Sequence, residues 1–363
     1  MLKPIHLKEG FRMFKRALYV HDHGFRRYDG RANKICKQIV ANCWNGDYFQ
    51  TSAGHFCEFY TRDFAFCIEA LLKLGYKDEV LKTLHYALER FSKHGRVTTS
   101  ISPKRKCFDF PNYAEDSLPL LVRSLRMAKA KDLIKRYNSF LKREIEYYYN
   151  KVFDSELGLI RSDRSFSSIK DYAKRRSSTY GNSMLVMLKD DLGALKLFNP
   201  FSNYNIRKNM MAELWSGDFF YDDIQKSSVF SSDANVFPFW CGVFDDKKMF
   251  LSCAKQIKKL KLDMPFPLKY MQKGAEVKHF KLPELFSGDY ERDSVWMHLG
   301  LCYLDVCKKY EYPSFKLYKS KYLKTIEKNG NFLEVFNSFG KPFNTPFYFT
   351  DDSMLWASKF LVI

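Results

Sequence analysis

Residues 61–92, TRDFAFCIEALLKLGYKDEVLKTLHYALERFS, contain two helical patterns separated by a glycine. On each side of Gly75 the apolar side chains recur every three or four positions, a spacing that places them on one face of a helix. Glycine ends a helix at little cost because it readily adopts the left-handed backbone conformation. The stretch therefore predicts two helices joined by a short turn.

The same spacing recurs along most of the chain. It predicts twelve helices, at residues 31–44, 61–74, 77–92, 112–128, 131–152, 177–188, 204–215, 234–242, 246–261, 290–310, 314–328 and 351–361. Alternating apolar and polar residues are few, and residues 273–285 are the best candidates for a short strand pair or an extended loop. Helix pairs that follow one another without a linker are typical of a closed toroid or a solenoid, so an all-α fold in one domain, residues 1–363, is expected.

The composition limits the class of protein. With 363 residues and 46% hydrophobic content, the chain can bury a large core. A membrane span is not expected because no run of about 18 apolar residues occurs, and the charged first twenty residues do not fit a signal peptide, so a cytoplasmic location is expected. The nine cysteines include no CxxC pair and predict buried free thiols. No metal or cofactor is expected.

The net charge of +19 raises the possibility of a nucleic-acid partner, because lysine and arginine neutralise phosphates. The basic residues are spread along the whole chain, however, and no nucleic-acid-binding motif accompanies them. Nucleic acid is therefore not the expected partner. An RNA- or polyanion-binding helical toroid remains an alternative.

One candidate catalytic residue is Asp171. It lies in residues 155–191, SELGLIRSDRSFSSIKDYAKRRSSTYGNSMLVMLKDD, where a polar turn places the carboxylate near Tyr172, Arg175 and Arg176 before an apolar helix. To act as a general acid it must keep its proton, which requires burial or a neighbouring carboxylate that raises its pKa. The alternative is an ordinary loop or helix-cap residue.

The second candidate is Glu334, in residues 330–361, GNFLEVFNSFGKPFNTPFYFTDDSMLWASKFL. A carboxylate among so many phenylalanines is rarely buried without a partner. Two carboxylates that face each other across a pocket are the acid and base of glycoside hydrolysis. The alternative is a surface glutamate beside an apolar loop, while Asp351 and Asp352 are expected to cap the last helix.

Other segments predict contacts with a sugar, because arginine and carboxylate groups bind hydroxyls and aromatic rings cover the apolar face of a pyranose. Each residue has a structural alternative, as a helix start, a local ion pair or a core aromatic. The predicted substrate-binding residues are Tyr60, Arg62, Asp63, Arg175, Asp233, Trp240, Tyr290, Arg292 and Trp296.

Taken in order, four segments resemble the (α/α)6 glycoside hydrolases, most closely the glucoamylase-like family and its trehalase and glycogen-debranching relatives. The segments are YTRDFAFCIEALLKLGYKDEV, GLIRSDRSFSSIKDYAKRRSSTYGNSMLVML, SSDANVFPFW and GNFLEVFNSFGKPFNTPFYFTDDSMLWA. The resemblance implies an (α/α)6 toroid in which Arg62 and Asp63 bind the reacting sugar. It also implies that Asp171 is the general acid and Glu334 the base of an inverting mechanism.

The resemblance has departures: Ile169 and Lys170 stand where a tryptophan is typical of the family, and the acid is Asp171, as in the debranching and trehalase relatives, where glucoamylases have a glutamate. The predicted function is hydrolysis of the α-glucosidic bond of a small α-glucoside or an α-glucan end. A catalytically inactive carbohydrate-binding relative is the alternative.

Overall fold

A computed structural model describes residues 4–275, 288 and 290–363. Fourteen helices lie in these ranges: α1 Pro4–His23, α2 Ala32–Cys43, α3 Thr61–Lys73, α4 Lys77–His94, α5 Ser117–Met127, α6 Lys131–Arg136, α7 Asn138–Val152, α8 Thr179–Ala194, α9 Ile206–Leu214, α10 Ser232–Trp240, α11 Lys247–Lys259, α12 Met297–Lys309, α13 Phe315–Asn329 and α14 Ala357–Val362. Eight strands of two residues accompany them: β1 Phe59–Tyr60, β2 Ser100–Ile101, β3 Cys107–Phe108, β4 Phe153–Asp154, β5 Leu159–Ile160, β6 Leu268–Lys269, β7 Val295–Trp296 and β8 Val335–Phe336.

Six helices form a closed inner ring. α3 packs on α5, α5 on α8, α8 on α10 and α10 on α12, and α14 returns to pack on α3. α14 also meets α12, because the Lys359 ammonium group contacts the Asp305 carboxylate. The inner helices bury most of their surface, and in α3 ten of the thirteen residues are buried. A helix enclosed by neighbours on all sides requires such a sequence.

Six further helices form an outer layer. α2, α4, α7, α9, α11 and α13 pack on α14, α3, α5, α8, α10 and α12, respectively. Their sequences are amphipathic, as α11 illustrates: Phe250, Cys253 and Ile257 are buried while Lys255 and Lys259 are exposed. Alternating outer and inner helices make an (α/α)6 toroid, so the predicted all-α fold class is confirmed.

All twelve predicted helices have counterparts, although the helix predicted at 112–128 begins only at Ser117 and that predicted at 177–188 continues to Ala194. The helix predicted at 131–152 divides at Tyr137 into α6 and α7, and α1 was not predicted. The helix predicted at 290–310 begins only at Met297, because residues 295–296 pair as β7 with β6 and β8. The helix predicted at 351–361 begins at Ala357.

The prediction that Asp351 and Asp352 cap the last helix is wrong. The Asp351 carboxylate instead accepts hydrogen bonds from the backbone N–H groups of His55, at 2.8 Å, and Phe56, at 2.9 Å. The strand pair predicted at 273–285 falls almost entirely on residues 276–287, outside the described residues. Of the nine free cysteines, Cys57 and Cys107 are partly buried and the other seven are buried.

Short strands lead into the inner ring at its functional end. β1 runs directly into α3, and β7 runs directly into α12. β7 also pairs with β8, which places Trp296 opposite Val335, the residue after Glu334. The N-terminal ends of inner helices and the loops before them therefore meet at one end of the toroid. Within the described ranges, no helix combines the length and apolar character needed to cross a membrane.

Candidate active site

A cavity of about 530 Å³ opens at the end of the toroid where inner helices begin. Asp171 and Glu334, which are far apart in the sequence, both line it. The other predicted site residues in its lining are Tyr60, Arg62, Asp63, Tyr290 and Trp296. Folding therefore brings the two candidate catalytic carboxylates to a single cavity.

The Glu334 side chain is buried, and three donors hold it. The Tyr290 hydroxyl donates to Oε1 at 2.5 Å, and the Tyr348 hydroxyl donates to Oε2. The backbone N–H of Asp351 also donates to Oε2, at 3.2 Å. Burial raises the pKa of Glu334 to about 8, while the two phenol hydrogen bonds oppose this rise. The three hydrogen bonds thus fix the orientation of the carboxylate, and the raised pKa allows Glu334 to exchange a proton near neutral pH.

Asp171 is the more open of the two carboxylates. Its side chain keeps 30% of its exposure, its Oδ1 accepts a hydrogen bond from the Ser167 hydroxyl at 3.0 Å, and Arg62 Nη1 lies 3.5 Å from the same oxygen. Burial raises the pKa of Asp171 to about 6, against the opposing effect of Arg62, and the nearby Asp116 carboxylate adds to the rise. A group with this pKa can hold or release a proton under mild conditions.

Arg62 connects the cavity to the ring of helices. Its Nε donates to Asp116 Oδ2 at 2.7 Å, and Asp116 also accepts from the Tyr180 hydroxyl at 2.7 Å. The guanidinium group therefore bridges Asp116 and Asp171 at the start of α3. Its neighbour Asp63 is buried in the cavity wall, where burial raises its pKa to about 7 although Arg62 acts to lower it.

A further acidic residue of the cavity, Glu291, was missed in the sequence. It lines the cavity and accepts backbone hydrogen bonds from Tyr172 at 3.0 Å and Ala173 at 3.1 Å. Burial and then the Asp171 charge raise its pKa to about 8. Glu291 thus fastens the segment directly after Asp171. Its position next to Tyr290, which was predicted, was the available signal.

Arg175 and Asp233 were predicted to bind substrate, but the structure places them elsewhere. They lie in a buried ion cluster with Lys170 and Asp222: Arg175 is 2.7 Å from Asp233, and Lys170 lies 3.1 Å from Asp222 and 3.3 Å from Asp233. Two positive and two negative groups balance there. Although burial opposes ionisation, Lys170 and Arg175 lower the pKa of Asp233. This placement gives both residues a structural role and does not support the predicted contact with a sugar.

Trp240 and Arg292 are also absent from the described lining of the cavity. The indole N–H of Trp240 donates to Asp305 at 3.0 Å, in a separate depression beside Lys359. The backbone carbonyl of Arg292 accepts from the backbone N–H of Met271 at 3.2 Å. These positions do not support the predicted substrate contacts of Trp240 and Arg292.

The unpredicted helix α1 forms one wall of the cavity through His6, Leu7, Phe11 and Phe14, among others. Ion pairs from Arg12 to Glu58 and from Arg16 to Asp352 attach this helix to the toroid. The apolar residues Leu7, Phe11, Phe14 and Leu18 follow the helical spacing, so the sequence did carry a signal for it. Other cavity residues missed in the sequence include Tyr348, His298 and Trp356.

The site offers acid–base chemistry through carboxylates. Within the described part of the chain, no three His, Cys, Asp or Glu side chains are grouped so that they could bind a metal ion. Ile169 lines the cavity, whereas Lys170 points into the ion cluster. The position where the resembled family has a tryptophan therefore contributes an aliphatic surface here.

Comparison with known proteins finds similar structures but no similar sequences. No family model and no curated protein match the sequence. The GH63 mannosylglycerate hydrolase of Thermus thermophilus, in complex with Tris, has a TM-score of 0.65 at 11% identity, over 91% of this chain and 99% of that one. A glycosidase variant has a TM-score of 0.68 at 12% identity, over 100% and 97%.

A rhamnosidase of Klebsiella oxytoca with rhamnose bound has a TM-score of 0.64 at 12% identity, and the match covers 91% of this chain but 62% of the rhamnosidase. These three proteins are (α/α)6-barrel glycoside hydrolases. This chain shares their fold, which confirms the architecture implied by the sequence resemblance.

Proposed function

We propose that this protein is a glycoside hydrolase in which residues 1–363 form one catalytic domain. The observation that carries the proposal is the presence of Asp171 and Glu334 in the lining of one cavity, inside a ring of helices. The fold shared with glycoside hydrolases supports it.

In the proposed mechanism, Tyr60, Arg62 and Asp63 hold the reacting sugar. Asp171 gives a proton to the glycosidic oxygen as its bond to the anomeric carbon breaks. Glu334 takes a proton from a water molecule whose oxygen bonds to that carbon from the opposite face. The anomeric configuration is therefore inverted, and exchange with solvent restores both carboxyl groups.

The order of the two pKa values alone would favour the opposite roles, because Glu334, with a pKa of about 8, binds its proton more tightly than Asp171, with a pKa of about 6. We assign the base to Glu334 because both of its oxygens accept hydrogen bonds from tyrosine hydroxyls, an arrangement that suits a carboxylate anion. The active form then has one proton on the pair, which is a property of the two groups together.

For the substrate we propose an α-glucoside as the first compound to test. A GH63 mannosylglycerate hydrolase and a glycosidase variant that share this fold were each determined in complex with glucose. Arg62 and Asp63 provide donors and acceptors that suit adjacent sugar hydroxyls. Panels of α-glucosides, α-mannosides and α-rhamnosides with a common leaving group would identify the sugar.

The test compares Asp171→Asn and Glu334→Gln with the parent across this panel. Each variant should lose about 10²- to 10⁴-fold in turnover while keeping its circular dichroism spectrum and melting temperature. Asp163→Asn, in the same loop as Asp171 but at the exposed surface, and Glu311→Gln are matched controls that should retain activity. Turnover by both active-site variants at the parental rate would overturn the proposal.

One observation favours the inactive carbohydrate-binding relative as a second candidate. With a pKa raised to about 8 by burial, Glu334 is mostly protonated at pH 7 and then cannot act as a base. Sugar binding measured by calorimetry, together with no turnover of any glycoside from pH 6 to pH 9, would select that candidate.

A further inference from the structure

The wall of the cavity that contains α1 is largely apolar. Phe11 and Phe14 belong to α1, the rings of Phe108 and Phe110 lie 6.2 Å and 5.3 Å from that of His6, and Phe347 also lines this part of the cavity. At the rim, Leu7, Phe11 and Phe347 keep 65%, 58% and 47% of their exposure. Exposed aromatic and aliphatic side chains that continue into a cavity mark a surface for an apolar ligand group.

This apolar wall adjoins both candidate catalytic carboxylates. On one side, the Phe14 ring on α1 lies 6.2 Å from Phe347, and the next residue, Tyr348, donates its hydroxyl hydrogen bond to Glu334. On the other side, the ring of Phe110 lies 6.0 Å from that of Tyr172, the residue after Asp171. The leaving group is on the Asp171 side of the sugar, so a group bonded to the scissile oxygen would lie next to the part of the apolar wall that Phe110 forms.

Polar groups of α1 in this wall already have partners. His6 Nε2 is 2.8 Å from the backbone carbonyl of Asp109, and Glu9 forms an ion pair with Arg12 at 2.7 Å. Phenylalanine rings offer no hydrogen bond to a hydroxyl. A second sugar in this position would find few hydrogen-bond partners for its hydroxyl groups on these rings, whereas an alkyl or aryl group would bury apolar surface against them.

We propose that the natural leaving group is apolar, so that the substrate is an alkyl or aryl glycoside rather than the end of a glucan. This inference rests on the proposed glycosidase function and narrows its substrate class. The sugar occupies the polar part of the cavity near Arg62 and Asp63, and the aglycone lies against Phe110 and the α1 side chains Leu7 and Phe11.

A homologous series of methyl, butyl, hexyl and octyl glycosides of the preferred sugar tests the inference, at concentrations below micelle formation. The leaving alcohols differ little in reactivity, so a change in kcat/KM along the series reports binding of the chain. We expect a rise of about fourfold for each methylene that becomes buried. The octyl glycoside should exceed both the methyl glycoside and the matching disaccharide by at least about tenfold, and a 2-phenylethyl glycoside distinguishes aromatic from linear aglycones.

Leu7→Gln and Phe11→Gln should bring the octyl-to-methyl ratio of kcat/KM towards one. Leu18→Gln is the matched control: it lies on the same helix, keeps 47% of its exposure and is absent from the described cavity lining, so the ratio should stay parental. Glutamine is used because its helix propensity is close to that of leucine.

The outcomes separate the two proposals. Hydrolysis without dependence on chain length, a disaccharide cleaved faster than the octyl glycoside, or a ratio that neither cavity variant changes would overturn the aglycone inference and leave the glycosidase function standing. Failure to hydrolyse any glycoside would overturn the proposed function and, with it, this inference.

Discussion

The hydroxyl of Tyr290 donates a hydrogen bond to Glu334 Oε1 at 2.5 Å, and the hydroxyl of Tyr348 donates one to Oε2. Tyr290 comes from the segment that leads into β7, and Tyr348 comes from the loop that follows β8. Two separate segments therefore fix the proposed base before any substrate binds, which lowers the cost of orienting it for the reaction.

The Tyr290→Phe variant should reduce the fraction of Glu334 that is ionised at neutral pH without unfolding the protein. The lost hydrogen bond lowers the pKa of Glu334 in the parent, so its removal should raise that pKa further and shift the activity profile towards higher pH. We expect kcat/KM at pH 7 to fall by about tenfold, which corresponds to roughly one unit of pKa. Tyr310→Phe, in which the lost hydroxyl bonds to Asp245 away from the cavity, is the control. An unchanged pH profile would show that the contact does not tune Glu334.

The dependence of activity on pH should be bell-shaped. Asp171 and Glu334 have pKa values raised to about 6 and about 8, and the pair carries a single proton between these values. Below pH 6 both groups are protonated and no base is available, whereas above pH 8 both are ionised and no acid is available. Initial rates of kcat/KM from pH 4.5 to 9.5 should therefore peak near pH 7. A rate that climbs steadily to pH 9.5 would contradict the shared-proton description.

The buried ion cluster should be sensitive to the loss of one charge. Lys170→Met leaves Arg175 as the cation of the cluster facing Asp222 and Asp233, and a buried pair broken on one side costs about 3–5 kcal/mol. Urea denaturation would measure this loss, with the exposed Lys208→Met as a control expected within about 0.5 kcal/mol of the parent.

The expected loss of stability in Lys170→Met comes from the unbalanced negative charge and not from poorer packing. Adding Asp222→Asn to Lys170→Met should therefore recover part of the stability. If the double variant is less stable than Lys170→Met alone, charge balance is not what the cluster provides.

Glu291 should make the protein less stable as the pH rises. Its pKa in the folded protein, about 8, lies above the unfolded value, so the native state binds more protons between about pH 4.5 and pH 8. Stability from this group is present below its unfolded pKa and decreases as the pH passes through the folded pKa. Glu291→Gln keeps an oxygen that can accept from Tyr172 and Ala173, and its melting temperature should fall less than that of the parent between pH 5 and pH 8.5. An equal fall in the melting temperatures of both proteins would show that Glu291 does not cause the dependence of stability on pH.

The sequence predicted the individual helices because helical spacing is a local signal, and the resemblance to (α/α)6 glycoside hydrolases implied their arrangement in a ring. It failed at boundaries that depend on distant segments: α12 starts late because residues 295–296 pair with residues 335–336, and α14 starts late because Asp351 binds the loop near His55. Neither contact leaves a trace in the local pattern of apolar residues.

The site was predicted in part for the same reason. Asp171 and Glu334 stood out as carboxylates in unusual local settings, and both line the cavity. Arg175 and Asp233 have similar local settings, yet they point into an ion cluster because Arg175 pairs there with Asp222, which carries no motif, and Asp233 pairs with Arg175 and Lys170. The direction of a charged side chain depends on which partner the fold supplies.

The roles of the two carboxylates are tested most directly by comparing substrates whose leaving groups differ in their need for a proton. An α-glycosyl fluoride needs little help from an acid because fluoride departs readily, whereas an alkyl glycoside needs a proton. Asp171→Asn should therefore retain most fluoride hydrolysis and lose alkyl glycoside hydrolysis by about 10²- to 10⁴-fold, while Glu334→Gln loses both. Hydrolysis of both substrates at parental rates by either variant would contradict the account.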